Sequence, residues 1–380
     1  MKNRALSVTS TIFVVSICLA ASVASADVLQ FQPGQYALRS GQGISLGSGS
    51  KVTGTMVAGR SISVGQGADI QAMFAGRDIW LDRQAQVNGQ VRAGRAAQAD
   101  RDLQFTGPSW TGKSVYLSRN ARVNGNVRSG SGGICIDRDA RINGHVNSDG
   151  YVWIDRDSTI SGNASPGLGR SIDFGRNVSV GGSTDPSSAG VDTMAVADIV
   201  FDRGSYSPGR DGIWQGRNSA LSLDPGSYRY LSLDRNATLN LSGGTYDLGN
   251  FWMDRDGVVN VDATEQDVIL NLSSLSTGRG VKFQVQGDHR LIVHTYGGNV
   301  WLDRDTELAA DVTVFDGSFS AGNGVQLEGS VLAAKSISLG SGVNVRAMTT
   351  APSAVPEPGT MALMAAGGVL FALRRRRIKN

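Results

Sequence analysis

Two cysteines, three histidines and nine prolines among 380 residues leave this chain few of the common means of bracing or catalysis. Cys18 falls in an N-terminal apolar stretch, so the body keeps only Cys135 and cannot close an internal disulfide. His145, His289 and His294 make no His-x-x-x-His or Cys/His ligand spacing, which removes the commonest zinc patterns. No Gly-x-Ser-x-Gly elbow is present to carry a hydrolase serine. With so few prolines, the fifty glycines read as turns rather than as proline-rich disorder. Apolar residues spread along the whole body, which argues against a long unfolded region.

A surplus of one charge is missing as well. Lys2 and Arg4 belong to the N-terminal segment, and Arg374, Arg375, Arg376, Arg377 and Lys379 to the C-terminal one, against a single acid there, Glu357. The body between them has 29 basic and 32 acidic residues, a net of −3 where the whole chain has +3. A nucleic-acid binder is therefore not indicated.

What the body does have is a repeat. Apolar-x-apolar triplets recur as Ile44-Ser45-Leu46, Ile62-Ser63-Val64, Ile79-Trp80-Leu81, Val115-Tyr116-Leu117, Ile134-Cys135-Ile136, Val152-Trp153-Ile154 and Ile172-Asp173-Phe174. Their starts are 18, 17, 36, 19, 18 and 20 residues apart, and the step of 36 is two repeats with Leu103-Gln104-Phe105 assigned to the middle one. A finer step of six links Leu46, Val52, Ala58, Val64 and Ile70, and again Leu81, Val87 and Ala93, or Ile136, Ile142 and Ser148. Three sides of six make a coil of about 18 residues, with period-two strands and Gly, Asn or Asp at the corners. The spacing predicts an all-β protein, a right-handed parallel β-helix. Helical periodicity is absent, and a β-sandwich would show longer strands and no such repeat.

Spacing loosens after about residue 190. There Gly204-Ser205-Tyr206, Gly226-Ser227-Tyr228 and Gly244-Thr245-Tyr246 echo Gly34-Gln35-Tyr36, and triplets continue as Leu231-Ser232-Leu233, Phe251-Trp252-Met253, Val300-Trp301-Leu302 and Val325-Gln326-Leu327. The expected layout is a signal peptide over 1–26, a β-helix domain over 27–180, a linker over 181–190, a second β-helical domain over 191–350, and a sorting segment over 351–380. The 18-residue coil of the first domain resembles the bactofilin-like, polymer-forming β-helix type, which implies self-association. Open solenoid ends, with unpaired strand edges, allow the same.

Both ends of the chain carry addresses. Lys2 and Arg4 precede the apolar stretch from Ile12 to Ala21, and Ala24-Ser25-Ala26 is a small-x-small cleavage pattern that leaves Asp27 as the first mature residue. The stretch is shorter than the roughly 20 residues of a membrane span. At the other end Val355-Pro356-Glu357-Pro358-Gly359 is followed by an apolar segment, 360–373, and a basic tail, 374–380. Pro356 and Pro358 hold their stretch extended, and the arginines keep the tail on the cytoplasmic side. This ending resembles the PEP-CTERM signals of Gram-negative bacteria that make exopolysaccharide. The resemblance implies recognition of Pro356, Glu357 and Pro358 by exosortase, a membrane protease, with the C-terminal segment transiently in the inner membrane. The expected destination is the cell envelope, the cell surface or the extracellular matrix.

Three features could carry chemistry. Asp-Arg follows many triplets, as in Asp82-Arg83, Asp137-Arg138-Asp139, Asp155-Arg156-Asp157, Asp234-Arg235, Asp254-Arg255-Asp256 and Asp303-Arg304-Asp305, with Ser118-Arg119 as a variant. These should stack at one corner; calcium or acidic glycan is the functional alternative to plain corner-turning, although interleaved arginine opposes a cation. Trp80, Tyr116, Trp153, Trp252 and Trp301 sit at triplet centres and should point outward, as candidate glycan contacts or as cross-rung packing. Gly107-Pro108-Ser109-Trp110-Thr111-Gly112-Lys113-Ser114 matches the phosphate-loop pattern, but the β triplet Val115-Tyr116-Leu117 follows where a helix is required. No catalytic residue, metal site or cofactor is expected. The expected role is structural or adhesive and non-enzymatic, in contact with exopolysaccharide or with other copies of the chain. The alternative is a polysaccharide lyase or hydrolase on a β-helix fold.

Overall fold

The computed structural model describes residues 27–29, 36–190, 194–196, 198–201 and 203–347. The expected signal peptide with Ala26, the Pro356-Glu357-Pro358 motif and the apolar segment 360–373 lie outside the described residues. Among those described there is no helix. A 39-stranded sheet, parallel throughout, coils into a solenoid of about nineteen residues per turn, and a two-stranded sheet pairs Asp27–Leu29 with Met194–Val196.

Each turn has three sides. In one turn, Ile79–Leu81 forms side one, Gln86–Val87 side two and Val91–Ala93 side three. Period-two alternation sends Ile79, Leu81, Val87, Val91 and Ala93 inward, where all are buried. The six-step series Leu46, Val52, Ala58, Val64 and Ile70 is likewise buried throughout. Ser148, the polar member of such a series, lies inside too and meets Ser129 hydroxyl to hydroxyl at 2.8 Å, so neither is left unpaired.

The order of turns in space differs from their order in the chain. The strands Val331–Ala333, Ile337–Leu339 and Asn344–Arg346 pair with Leu38–Ser40, Gly43–Leu46 and the start of Lys51–Ala58. The C-terminal run therefore stacks beneath the N-terminal run, and one apolar core passes through both. The rod begins at Gly212–Gln215, rises to Arg346, continues from Leu38 and ends at Ser179–Val180. Fifteen rungs at about 4.8 Å give a body of about 70 Å.

The described residues between 183 and 211 lie along side three, between the top of the rod and its foot. Ala189 donates its amide to Asp149 at 2.7 Å, Val196 packs on Tyr36, Val57 and Phe74, Phe201 meets Phe315 edge-on, and Tyr206 stacks on Tyr296 at 4.6 Å. Arg203 clamps Asp316 with both guanidinium nitrogens. Sides one and two are left uncovered by the described residues of this segment.

Three details depart from the sequence expectation. The step is 17 to 20 residues in the first run but 18 to 25 in the second. The additions fall at corners such as Ala263 to Asp267 and Tyr296 to Asn299, outside the ladder, where extra residues leave pairing intact. Leu103-Gln104-Phe105 belongs to side two, with Phe105 beside Val87, and the side-one strand of that turn is Ala96–Ala99. Val325-Gln326-Leu327 also lies on side two, pairing with Asn344 and Val345.

Candidate functional site

Outward residues at the centre of side one form a single row. In rod order it reads Trp214, Ser232, Trp252, Ser276, Trp301, Ser320, Ser338, Ser45, Ser63, Trp80, Gln98, Tyr116, Cys135, Trp153 and Asp173. The structure thus brings Trp80, Tyr116, Trp153, Trp252 and Trp301 together on one side of one rod, and adds Trp214, which the triplet pattern missed because Ile213-Trp214-Gln215 ends on a polar residue. Exposure of these rings runs from 36% at Trp153 to 64% at Trp214. They occupy alternate rungs in two groups of three, separated by four serines. Neighbouring rings within a group are two rungs apart, about 10 Å. At that distance they do not stack on each other. Cys135 stands between Tyr116 and Trp153, with its sulfur 3.3 Å from the Tyr151 hydroxyl. That bond raises the Tyr151 pKa, and burial with the nearby Asp137 raises that of Tyr116.

The Asp-Arg pairs do stack, at the corner between sides one and two. Asp82, Asp137, Asp155, Asp234, Asp254 and Asp303 each accept the amide of the following arginine at 2.7–2.8 Å. In Asp234 this bond is the main reason that the carboxyl titrates below the usual range. The third corner residue adopts positive φ, as in Asp139 (63°), Asn177 (54°), Asn218 (55°) and Asp305 (58°), a conformation that Asn, Asp and Gly reach most easily. Its amide donates to the carbonyl of the middle residue one rung on, from Asn218 to Arg235 at 3.0 Å up to Asp157 to Arg176 at 2.9 Å. The middle column is mostly arginine, with Arg217, Arg235, Arg255, Arg279 and Arg304 below the serines and Arg83, Arg101, Arg119, Arg138, Arg156 and Arg176 above them. Ion pairs here are long at Arg83 and Arg101, 3.9–4.0 Å, while Arg217 donates to Asp234 at 3.3 Å. Charges at this corner nearly balance, and the carboxylates serve the turns. Among the described residues no three His, Cys, Asp or Glu side chains are placed to hold a metal ion.

The corner between sides three and one is different. Backbone bonds align Lys335, Gln42, Arg60, Arg77, Arg95 and Lys113 in one column, with amide-to-carbonyl distances of 2.6–2.8 Å. The phosphate-loop look-alike resolves into this geometry: Ser109–Thr111 and Ser114–Leu117 are strands, Gly112 is a corner glycine and Lys113 its outward neighbour.

The described start of the N-terminal run and the described end of the C-terminal run meet at the remaining corner, between sides two and three. The Ala37 amide bonds to Thr55 and the Ala347 amide to Thr53, at 2.9 and 3.1 Å. In a three-sided rod that corner lies opposite side one.

Residues 354–377 match the PEP-CTERM protein-sorting motif. The motif indicates export to the cell envelope or surface and processing by exosortase, a membrane protein. No curated protein matches the chain. A solved structure, the ice binding protein from an Antarctic bacterium Flavobacteriaceae, aligns at 11% identity over 83% of this chain and 97% of that one, with a TM-score of 0.27. A likeness that loose has no bearing on function.

Proposed function

We propose that the mature protein is a non-enzymatic rod of the cell surface or biofilm matrix that holds exopolysaccharide along side one. The observation that carries this reading is the single row of six exposed rings on alternate rungs, drawn from both runs of the chain. Exposed aromatic faces at regular spacing suit the apolar faces of successive sugar rings. The repetitive use of Asp and Arg in turn-making supports a non-catalytic body.

Retention of the purified mature chain on immobilised exopolysaccharide tests the reading. Replacing Trp153 and Trp301 by Ala should weaken retention while lowering the melting temperature only slightly, since both rings lie on the outer face of side one. Unchanged retention rejects the aromatic face. Shortened chains or new unsaturated ends after incubation with anionic polysaccharide would favour a lyase instead.

A second reading, self-association, is favoured by the matching ends of the rod. The last side-one strand, Ile172–Phe174, leaves Phe174 exposed at an inward position, and the corner beyond it, Gly175-Arg176-Asn177, repeats the foot's Gly216-Arg217-Asn218.

A further inference from the structure

The two aromatic groups of side one have unlike borders. Beside Trp214, Trp252 and Trp301 the corner leading into side one carries Asp211, Arg229, Gly249, Ser273 and Gly298, so its one cation is matched by an exposed acid a rung below, and Asp316 farther on is taken up by Arg203. Beside Trp80 and Tyr116 the same corner carries Arg60, Arg77, Arg95 and Lys113 on four successive rungs, all exposed. Arg77 precedes Trp80 by three residues and Lys113 precedes Tyr116 by three, so each cation sits at the edge of the strand bearing the ring. Gln98, between the two rings, has Arg95 at the same offset. One carboxylate interrupts this edge, Asp78, which lies 3.9 Å from Arg95 and is largely shielded from solvent.

Resting on the reading of side one as glycan-binding, we infer that the Trp80–Tyr116 track takes a linear polysaccharide bearing carboxylates, a uronate chain laid along the rod axis, whereas the Trp214–Trp252–Trp301 track takes neutral sugar. Rings two rungs apart repeat at about 10 Å, the scale of two sugar units in an extended chain. A cation on every rung then places positive charge beside each sugar unit along one edge of that chain. Aligned like charges repel one another, and a polyanion relieves this along its whole length. The opposite edge, at the Asp-Arg corner, is balanced and offers no competing attraction. The serines Ser320, Ser338, Ser45 and Ser63 separate the two tracks by the full width of the junction.

The test is binding of uronate oligomers, such as polygalacturonate fragments, and of neutral β-glucan oligomers of equal length to the mature chain and three variants. The triple variant Arg77→Gln, Arg95→Gln, Lys113→Gln keeps the aliphatic stems and removes the charge. The expected result is a loss of uronate affinity of about tenfold, for three exposed contacts together. Trp80→Ala with Tyr116→Ala should lose it too, and Trp252→Ala with Trp301→Ala should leave it unchanged. Uronate binding should also weaken as salt shortens the Debye length from about 10 Å at 0.1 M to about 3 Å at 1 M. Uronate binding that survives the triple variant overturns the inference. So does neutral glucan held through Trp80 with no uronate bound, a result that leaves the glycan reading standing. Binding of neither oligomer overturns both.

Discussion

The amide of Gly342 donates to the carbonyl of Ser48 at 2.8 Å, joining residues from opposite ends of the chain in one corner ladder. Ile337 and Ile44 are paired side by side just before this corner, and both are buried. The junction thus repeats the contacts within each run, and nothing in its packing marks a domain boundary. Ile337→Ala should cost about 2–4 kcal/mol, the usual range for truncating a buried isoleucine. Because neighbouring rungs share one core, both runs should melt in a single transition shifted downward. Two separate calorimetric transitions, with only the later run affected, would contradict a shared core.

Glycines at two corners do unlike work, and substitution separates them. A Cβ on Gly112 would run into the carbonyl of Gly94 one rung below, as one on Gly59 would into that of Gly41. Gly112→Ala should therefore force the rungs apart and cost about 1–3 kcal/mol. Gly342 has φ of 67° and open space around its Cα, and Asn120 and Asn236 hold the same corner position at 59° and 55°. Gly342→Asn should then shift the denaturation midpoint very little. Similar losses for both substitutions would count against the backbone contact at Gly112.

The sides and corners of a turn were legible because buried strands alternate and corners select Asn, Asp and Gly. Side identity was less so: Leu103-Gln104-Phe105 has the same apolar-x-apolar form on side two that its neighbours have on side one. The true side-one strand of that turn, with Ala97 and Ala99 inward, is too weakly apolar to stand out. Trp214 escaped for the related reason that Gln215 follows it. The meeting of Ser338 with Ser45 was beyond reach, since period and composition describe rungs but not which rungs pair. The cationic edge was present in the sequence as Arg77, Arg95 and Lys113, each three before an outward residue, and only the corner geometry makes that offset meaningful.

His294 gives the body a pH dependence of known sign. Its ring lies on side three against Tyr296 and Phe315, with Nδ1 3.2 Å from the Asn271 amide oxygen, and burial pushes its pKa below 6.5. Above pH 6.5 neither folded nor unfolded chain protonates this ring, and its contribution is level. As pH falls from 6.5 towards the lower folded value, the unfolded chain takes up the proton first and stability declines. His294→Asn should flatten this part of the curve. The difference in slope should stay below the one-proton limit of about 1.4 kcal/mol per pH unit, because the ring is partly solvated. Urea midpoints of the two proteins between pH 7 and about 5 would decide it, and parallel curves would show that the ring is not responsible.

The ends of the rod supply the last prediction. Among the described residues the corner ladder starts with the Asn218 amide and stops at the Arg176 carbonyl, so the amide of Asn177 and the carbonyl of Arg217 have no rung to meet. Side-chain amides run the same way, from Asn236 to Asn218 at 3.0 Å and from Asn177 to Asp157 at 3.0 Å. A second copy set foot-to-top brings Arg217 over Asn177, lets the Asn218 side chain donate to that of Asn177, and covers Ile172 with Ile213 and Phe174 with Gln215. Such a contact is heterologous and does not close, so copies add in line. Sedimentation of the mature chain should show species that lengthen with concentration. Phe174→Asp, which buries an unpaired charge at the contact, should return the protein to monomers without lowering its melting temperature, because Phe174 is already 46% exposed in the single copy. A monomer at every concentration would leave the open edges as simple chain ends, and filaments that persist in Phe174→Asp would place the contact elsewhere on the rod.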